Sequence, residues 1–102
     1  MSGGGDPRIE AIAATYRLLG DPTRLRVLLA CMDGPIAVGD IAARVGASQP
    51  LVSHHLRLLR GARLVRGERH QRHVLYATAD EHITHMLTDM LEHAAEDHPP
   101  PL

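Results

Sequence analysis

Four side chains near the end of this 102-residue sequence carry its clearest chemistry: Asp80-x-His82, followed further along by His93-x-x-Glu96. Imidazoles and carboxylates in this grouping are ligands of divalent transition metals of borderline softness. On one helix, eleven residues at 100° each return to within about 20° of the starting direction, so His82 and His93 share a face, with Glu96 about 40° to the other side. They nevertheless stand roughly 16 Å apart along the axis, too far for one helix to close around one ion. Two antiparallel copies remove the difficulty. Setting His82 opposite the partner's His93 puts a two-fold axis near about residue 87.5, and setting Asp80 opposite the partner's Glu96 puts it near about residue 88. Each donor alone has a plainer use, Asp80 as a helix cap and the histidines as exposed polar residues. The shared axis is what argues for a metal held between copies. His85, Asp89 and His98 add further donors nearby.

The element that must carry these donors is legible. Ile83, Met86, Leu87, Met90, Leu91 and Ala94 recur at the spacing of an amphipathic helix, with the stripe centred on Met90 beside the donor face. Upstream, Ile9, Ile12, Ala13, Tyr16 and Leu19 mark a first helix ending at Gly20, and Asp21-Pro22 opens a second whose buried stripe reads as Leu25, Leu28, Leu29 and Met32. Val38, Ile41, Ala42 and Val45 mark a short third helix closed by Gly46. Ser48 caps a fourth, with Leu51, Val52, Leu56 and Leu59 inward and Gly61 as its stop. Strand-like runs over 64–69 and 72–78 then flank His70-Gln71 as a hairpin tip. The fold class is therefore mainly α with a β-hairpin: a winged helix-turn-helix that dimerises through its terminal helices.

The fourth helix begins with Ser48, Gln49, Ser53, His54 and Arg57 on positions the core does not claim, where side chains reach phosphates and base edges. Arg69, Gln71 and Arg72 lie in the hairpin, and between residues 41 and 79 seven arginines face one acid, Glu68. This basic middle predicts binding to double-stranded operator DNA, although the net charge of the whole chain is −1. His55, next to Leu56, reads as a packed or capping residue rather than a DNA contact. From residue 80 to 97 there are six acids and neither Lys nor Arg.

Length and composition fit one domain over 8–97, between mobile tails at 1–7 and 98–102. A chain this short buries only about two-thirds of its unfolded surface, which favours pairing with a second copy. With no Phe or Trp, the core must be aliphatic. The single Cys31 sits in an apolar run and reads as core. No run of about 18 apolar residues suggests a membrane span, and nothing resembles a signal peptide, so the expected setting is the cytoplasm without membrane contact. A hydrolytic enzyme is disfavoured, because four protein ligands leave no open metal position and no nucleophile-base pair is evident.

Three stretches resemble the ArsR/SmtB family of metal-sensing transcriptional regulators: Leu18-Leu19-Gly20-Asp21-Pro22-Thr23-Arg24-Leu25-Arg26, Ser48-Gln49-Pro50-Leu51-Val52-Ser53-His54-His55-Leu56, and Arg72-His73-Val74-Leu75-Tyr76. The resemblance implies a homodimer that binds its operator without metal and releases it when metal is bound. It also implies which metal site is present. Ala37-Val38-Gly39 stands where one branch of the family carries Cys-x-Cys, so the thiolate site is missing, whereas Asp80, His82, His93 and Glu96 match the last-helix site of the zinc-, cobalt- and nickel-sensing branch. Four N/O ligands suit tetrahedral zinc. The extra donors His85 and His98 suit the higher coordination of nickel or cobalt, although Met1 to Pro7 lacks the His some nickel sensors of the family use. Nickel and zinc both stay open. A second reading is a winged-helix protein that works through a protein co-regulator, with the metal serving structure.

Overall fold

The computed structural model describes residues 5–96. The tail expected over 98–102, with His98, lies outside them.

An Asp-Pro pair opens each of the first two helices. In α1 (Pro7–Leu18) the Asp6 carboxylate accepts the Arg8 N–H at 2.9 Å, and in α2 (Pro22–Ala30) the Asp21 carboxylate accepts those of Thr23 and Arg24 at 2.9 and 3.2 Å. Proline at the first helical position lacks an N–H that would have had no partner there. The Asp6 cap starts α1 at Pro7, one residue before the expected boundary at 8.

Next comes β1 (Ile36–Ala37), then α3 (Val38–Val45), which Gly46 ends in the left-handed region at φ 69°. α4 (Gln49–Gly61) follows a short turn, with the Ser48 hydroxyl accepting the Leu51 N–H at 3.3 Å. Its end differs from expectation. Gly61 is still helical, and Arg63 takes the left-handed conformation at φ 61°. The Leu64 N–H donates to the Leu59 carbonyl at 2.9 Å and the Arg63 N–H to the Arg60 carbonyl at 3.0 Å, the paired bonds of a Schellman stop. Leu59 and Leu64 are both buried, and that apolar contact across the cap accompanies a left-handed residue that is not glycine.

The wing is β2 (Val65–His70) and β3 (His73–Thr78), antiparallel from Val65↔Thr78 to His70↔His73. Its turn residues are Gln71 and Arg72, one position later than expected, with Gln71 at φ 57°. β1 pairs with the other edge of β3, giving the order β1-β3-β2. This two-residue strand is too short to show a period, so the sequence did not reveal it. The last helix, α5 (Glu81–Ala95), is capped by Asp80, whose Oδ1 accepts the Ile83 N–H at 3.1 Å.

The core gathers Val27, Leu28, Ile41, Val52, Leu56 and Leu59, with Leu64, Val65 and Leu87 closing it from the wing and α5. In α2 the buried stripe is Val27, Leu28, Ala30 and Cys31, while Leu25, Leu29 and Met32 are half-buried. Cys31 is fully enclosed, its Sγ 3.4 Å from the Val27 carbonyl, and burial pushes its thiol up to about 12. Leu51, expected inward, is exposed: Val52, His55, Leu56 and Leu59 fill the inner face of α4.

The terminal helices are packed least. No residue of α1 is buried, and its stripe of Ile9, Ile12 and Tyr16 is open to solvent at 63, 49 and 60%. Leu87 is the buried residue of α5, and Met90 and Leu91 at the far end of that helix are exposed.

Candidate nucleic-acid interface and metal-binding helix

α3 and α4, joined through Gly46-Ala47-Ser48, form the helix-turn-helix. Burial of one face of α4 leaves Gln49, Ser53, His54, Arg57 and Arg60 on the surface, and Ser48 is exposed at the cap. Arg69, Gln71 and Arg72 are exposed at the end of the wing. All eight side chains expected to meet DNA are therefore on the surface of the two elements that a winged helix lays against a duplex.

A polar bracket, invisible in the sequence, sets α4 on its neighbours. Arg24 is only 15% exposed. Its Nε donates to His55 Nδ1 at 3.3 Å and its Nη1 to the Leu18 carbonyl at 2.9 Å, while Nη2 stands 4.0 Å from Asp21. One guanidinium thus joins the end of α1, the cap of α2 and the inner face of α4. His55 is the packed histidine expected, but its partner is a cation. Desolvation, and then the Arg24 charge, hold its imidazole below the usual histidine range.

That shift has a consequence for stability. An unfolded chain takes up a proton at His55 near pH 6.5, and the folded chain resists it, so folding loses free energy as pH falls through about 6.5 and stops losing it below the depressed folded value. Asp21, lowered chiefly by the Arg24 N–H, adds a further loss in the carboxylate range. The urea midpoint should therefore fall as the pH drops below about 6.5. His55→Asn keeps an acceptor near Nδ1 but does not titrate, and it should flatten that slope; an unchanged slope would contradict the role given to His55.

On α5, Asp80, His82, His85, His93 and Glu96 are all exposed. Among the described residues no three His, Cys, Asp or Glu side chains gather within one chain in a way that could hold an ion. The helix keeps His82 and His93 on its regular screw, two donors on one face roughly 16 Å apart. Glu96 is the C-cap: its φ of −68° keeps its Cβ on the helical screw, so the offset of about 40° stands, and the extended ψ of 146° redirects only the chain beyond it. Asp80, the N-cap at φ −160° and ψ 178°, is the donor that leaves the regular screw. Asp80 is both cap and candidate donor, and the two uses are compatible because the cap occupies Oδ1 and leaves Oδ2. The donor types, two imidazoles and two carboxylates, fit a nitrogen- and oxygen-preferring divalent ion. Cys31, sealed in the core with its thiol held protonated, is no ligand.

The model of the bacterial regulatory protein arsR family matches residues 21–66, from the cap of α2 into β2. The HTH-type transcriptional repressor SmtB of Mycobacterium tuberculosis is 37% identical over 89 residues, which cover 87% of this chain and 66% of SmtB, just under two-thirds of its length. The NMR structure of the cadmium metal-sensor CmtR from Mycobacterium tuberculosis is 40% identical, with a TM-score of 0.70 over 88% of this chain and 95% of that one. A homodimeric winged helix-turn-helix DNA-binding domain from Mycobacterium bovis, described as a possible ArsR-family regulator, is 25% identical, with a TM-score of 0.73 over 96% of this chain and 100% of that one. No helix among the described residues is long and apolar enough to cross a membrane. Fold, matched motifs and relatives agree that the chain belongs to the ArsR/SmtB family of bacterial transcriptional regulators, whose members matched here are regulators and not enzymes.

Proposed function

We propose that this protein is a metal-responsive transcriptional regulator of the cytoplasm that binds operator DNA as a homodimer, with nickel or zinc at the last-helix interface modulating DNA affinity. The observation that carries the reading is the combination on α5: two histidines on one face, a carboxylate at each end, and an apolar face left open at Met90 and Leu91. The open stripe of α1 extends the same need for a second copy, and a homodimeric relative supports it. SmtB is a repressor and CmtR a cadmium sensor; the donors here are imidazole and carboxylate, which favour nickel, zinc or cobalt over a thiophilic ion. A divalent ion there supplies a coordination cross-link between the two copies. Asp80, His82, His93 and Glu96 would hold it, and Arg57, Arg69 and Arg72 would hold phosphates.

An ion alters DNA affinity only if it favours one of two dimer arrangements. Fluorescence anisotropy at fixed salt, on a palindromic duplex selected from a random library by the metal-free protein, should show affinity weakening by about 5- to 150-fold on saturation with nickel or zinc. Equal affinities would reject the coupling.

A further inference from the structure

A chain of polar contacts runs from the candidate metal helix into the wing. The Asp80 carbonyl accepts from Thr84 Oγ1 at 3.4 Å, and Thr84 Oγ1 shares a hydrogen bond with Thr78 Oγ1 at 2.8 Å. The Thr78 carbonyl accepts from Arg66 Nε at 3.3 Å. Arg66 is ion-paired with Glu68, whose second oxygen lies 3.3 Å from His70 Nε2. Each hydroxyl has one hydrogen, so the chain has one consistent direction, from the Thr78 hydroxyl to Thr84 and from Thr84 to the Asp80 carbonyl. Its middle is anchored in the body: Thr78 is buried, and its N–H donates to the Cys31 carbonyl at 3.2 Å.

We propose that the Thr78–Thr84 hydroxyl pair is the positioning link through which occupancy of the α5 site resets the wing. The inference rests on the metal-responsive reading above. α5 holds to the body through Leu87 and the half-buried Ile83 and Met86, apolar contacts that have no preferred direction and tolerate small sliding. The hydroxyl pair is different. At 2.8 Å a shift of about 1 Å in the first turn of α5 either drags Thr78 or breaks the bond. The Thr78 carbonyl is the anchor of Arg66, so the movement is delivered to a cation at the base of the wing. The exposed ion pairs beyond Arg66 add little energy by themselves. They fix where the charge sits.

A link that serves only stability and one that carries coupling are separable. Thr84→Val leaves the buried Thr78 hydroxyl without its partner and should destabilise the fold, whereas Thr78→Val with Thr84→Val removes both polar groups at nearly constant shape and should recover most of the loss. With nickel and zinc ions as probes and the selected duplex as DNA, both variants should bind metal, and bind the duplex without metal, within about threefold of the wild-type dimer. In both, the ratio of DNA affinities without and with metal should shrink by at least about fivefold. Thr84→Ser, which keeps the hydroxyl, should retain the wild-type ratio. Without DNA, metal should shift the His70 ring resonances of the wild type and leave those of the double variant unmoved. A double variant with the full wild-type ratio and an intact His70 response would overturn the link while leaving metal control standing. A wild type with no ratio at all would overturn metal control and the link together.

Discussion

Alanine at His82 or at His93 is expected to weaken nickel and zinc binding by more than about 100-fold, beyond the 10- to 100-fold usual when only an outer-shell partner is lost. Each substitution removes one of the two imidazoles from both symmetric sites of the dimer. A site left with one imidazole and two carboxylates is harder and weaker for these ions. Both histidines are exposed on α5, so neither change opens a cavity, and the melting temperature of the metal-free protein should move little. Isothermal titration of the purified dimers reads the loss directly. The same variants should hold the duplex equally well with and without metal. Retention of stoichiometric, tight binding by both would move the site away from α5.

Charge placed in the open apolar faces should have an effect of comparable size on DNA binding. Ile12 and Met90 are large side chains exposed at 49 and 57% in a single copy. Covering the half of such a side chain that is still open contributes about 0.7–1.5 kcal/mol, and a two-fold axis counts each position twice. Ile12→Glu with Met90→Glu replaces that gain by the cost of burying carboxylates, and sedimentation should show monomers. Two reading helices acting together gain affinity of about 10²- to 10⁴-fold over one, so the duplex should be bound at least about 100-fold more weakly. Neither residue packs in the core of one chain, so far-ultraviolet circular dichroism should stay unchanged. A double variant that remains dimeric would place the interface elsewhere.

What the sequence disclosed and what it withheld divide along physical lines. Helices with a strong period and a capping residue were legible: Asp21-Pro22 for α2, Ser48 for α4, Gly46 for the end of α3. The wing was legible from its β-branched and aromatic run, but its turn was misplaced by one residue, because no glycine or asparagine marks the positive φ that Gln71 adopts. Gly61 drew the end of α4 to itself, while the Leu59–Leu64 contact allowed Arg63 to take the left-handed position two residues later. Leu51 reads as core because it is apolar. The inner face of α4 had already been filled, in part by a histidine that a buried arginine satisfies. The Arg24 bracket joins residues far apart in the chain, and no spacing rule reveals it. The Thr78–Thr84 link is hidden for another reason, since two threonines six apart across a strand-to-helix turn follow no period. Candidate DNA contacts were readable because a recognition helix keeps its functional side chains off the buried face. The metal donors were readable because two copies related by one axis impose a spacing on a single sequence.

That spacing makes the central claim testable by mixing two defective proteins. In a heterodimer of His82→Ala with His93→Ala, one shared site loses both imidazoles and the other keeps both. Each variant alone should lack tight metal binding, and a mixture allowed to exchange subunits should recover about a quarter of the wild-type capacity, since half of the dimers are mixed and each carries one intact site of two. Recovery at that level, by nickel or cobalt absorption titration, is the result expected of a site shared across antiparallel α5 helices. A mixture that binds no more than its components would show that His82 and His93 do not meet across the dimer.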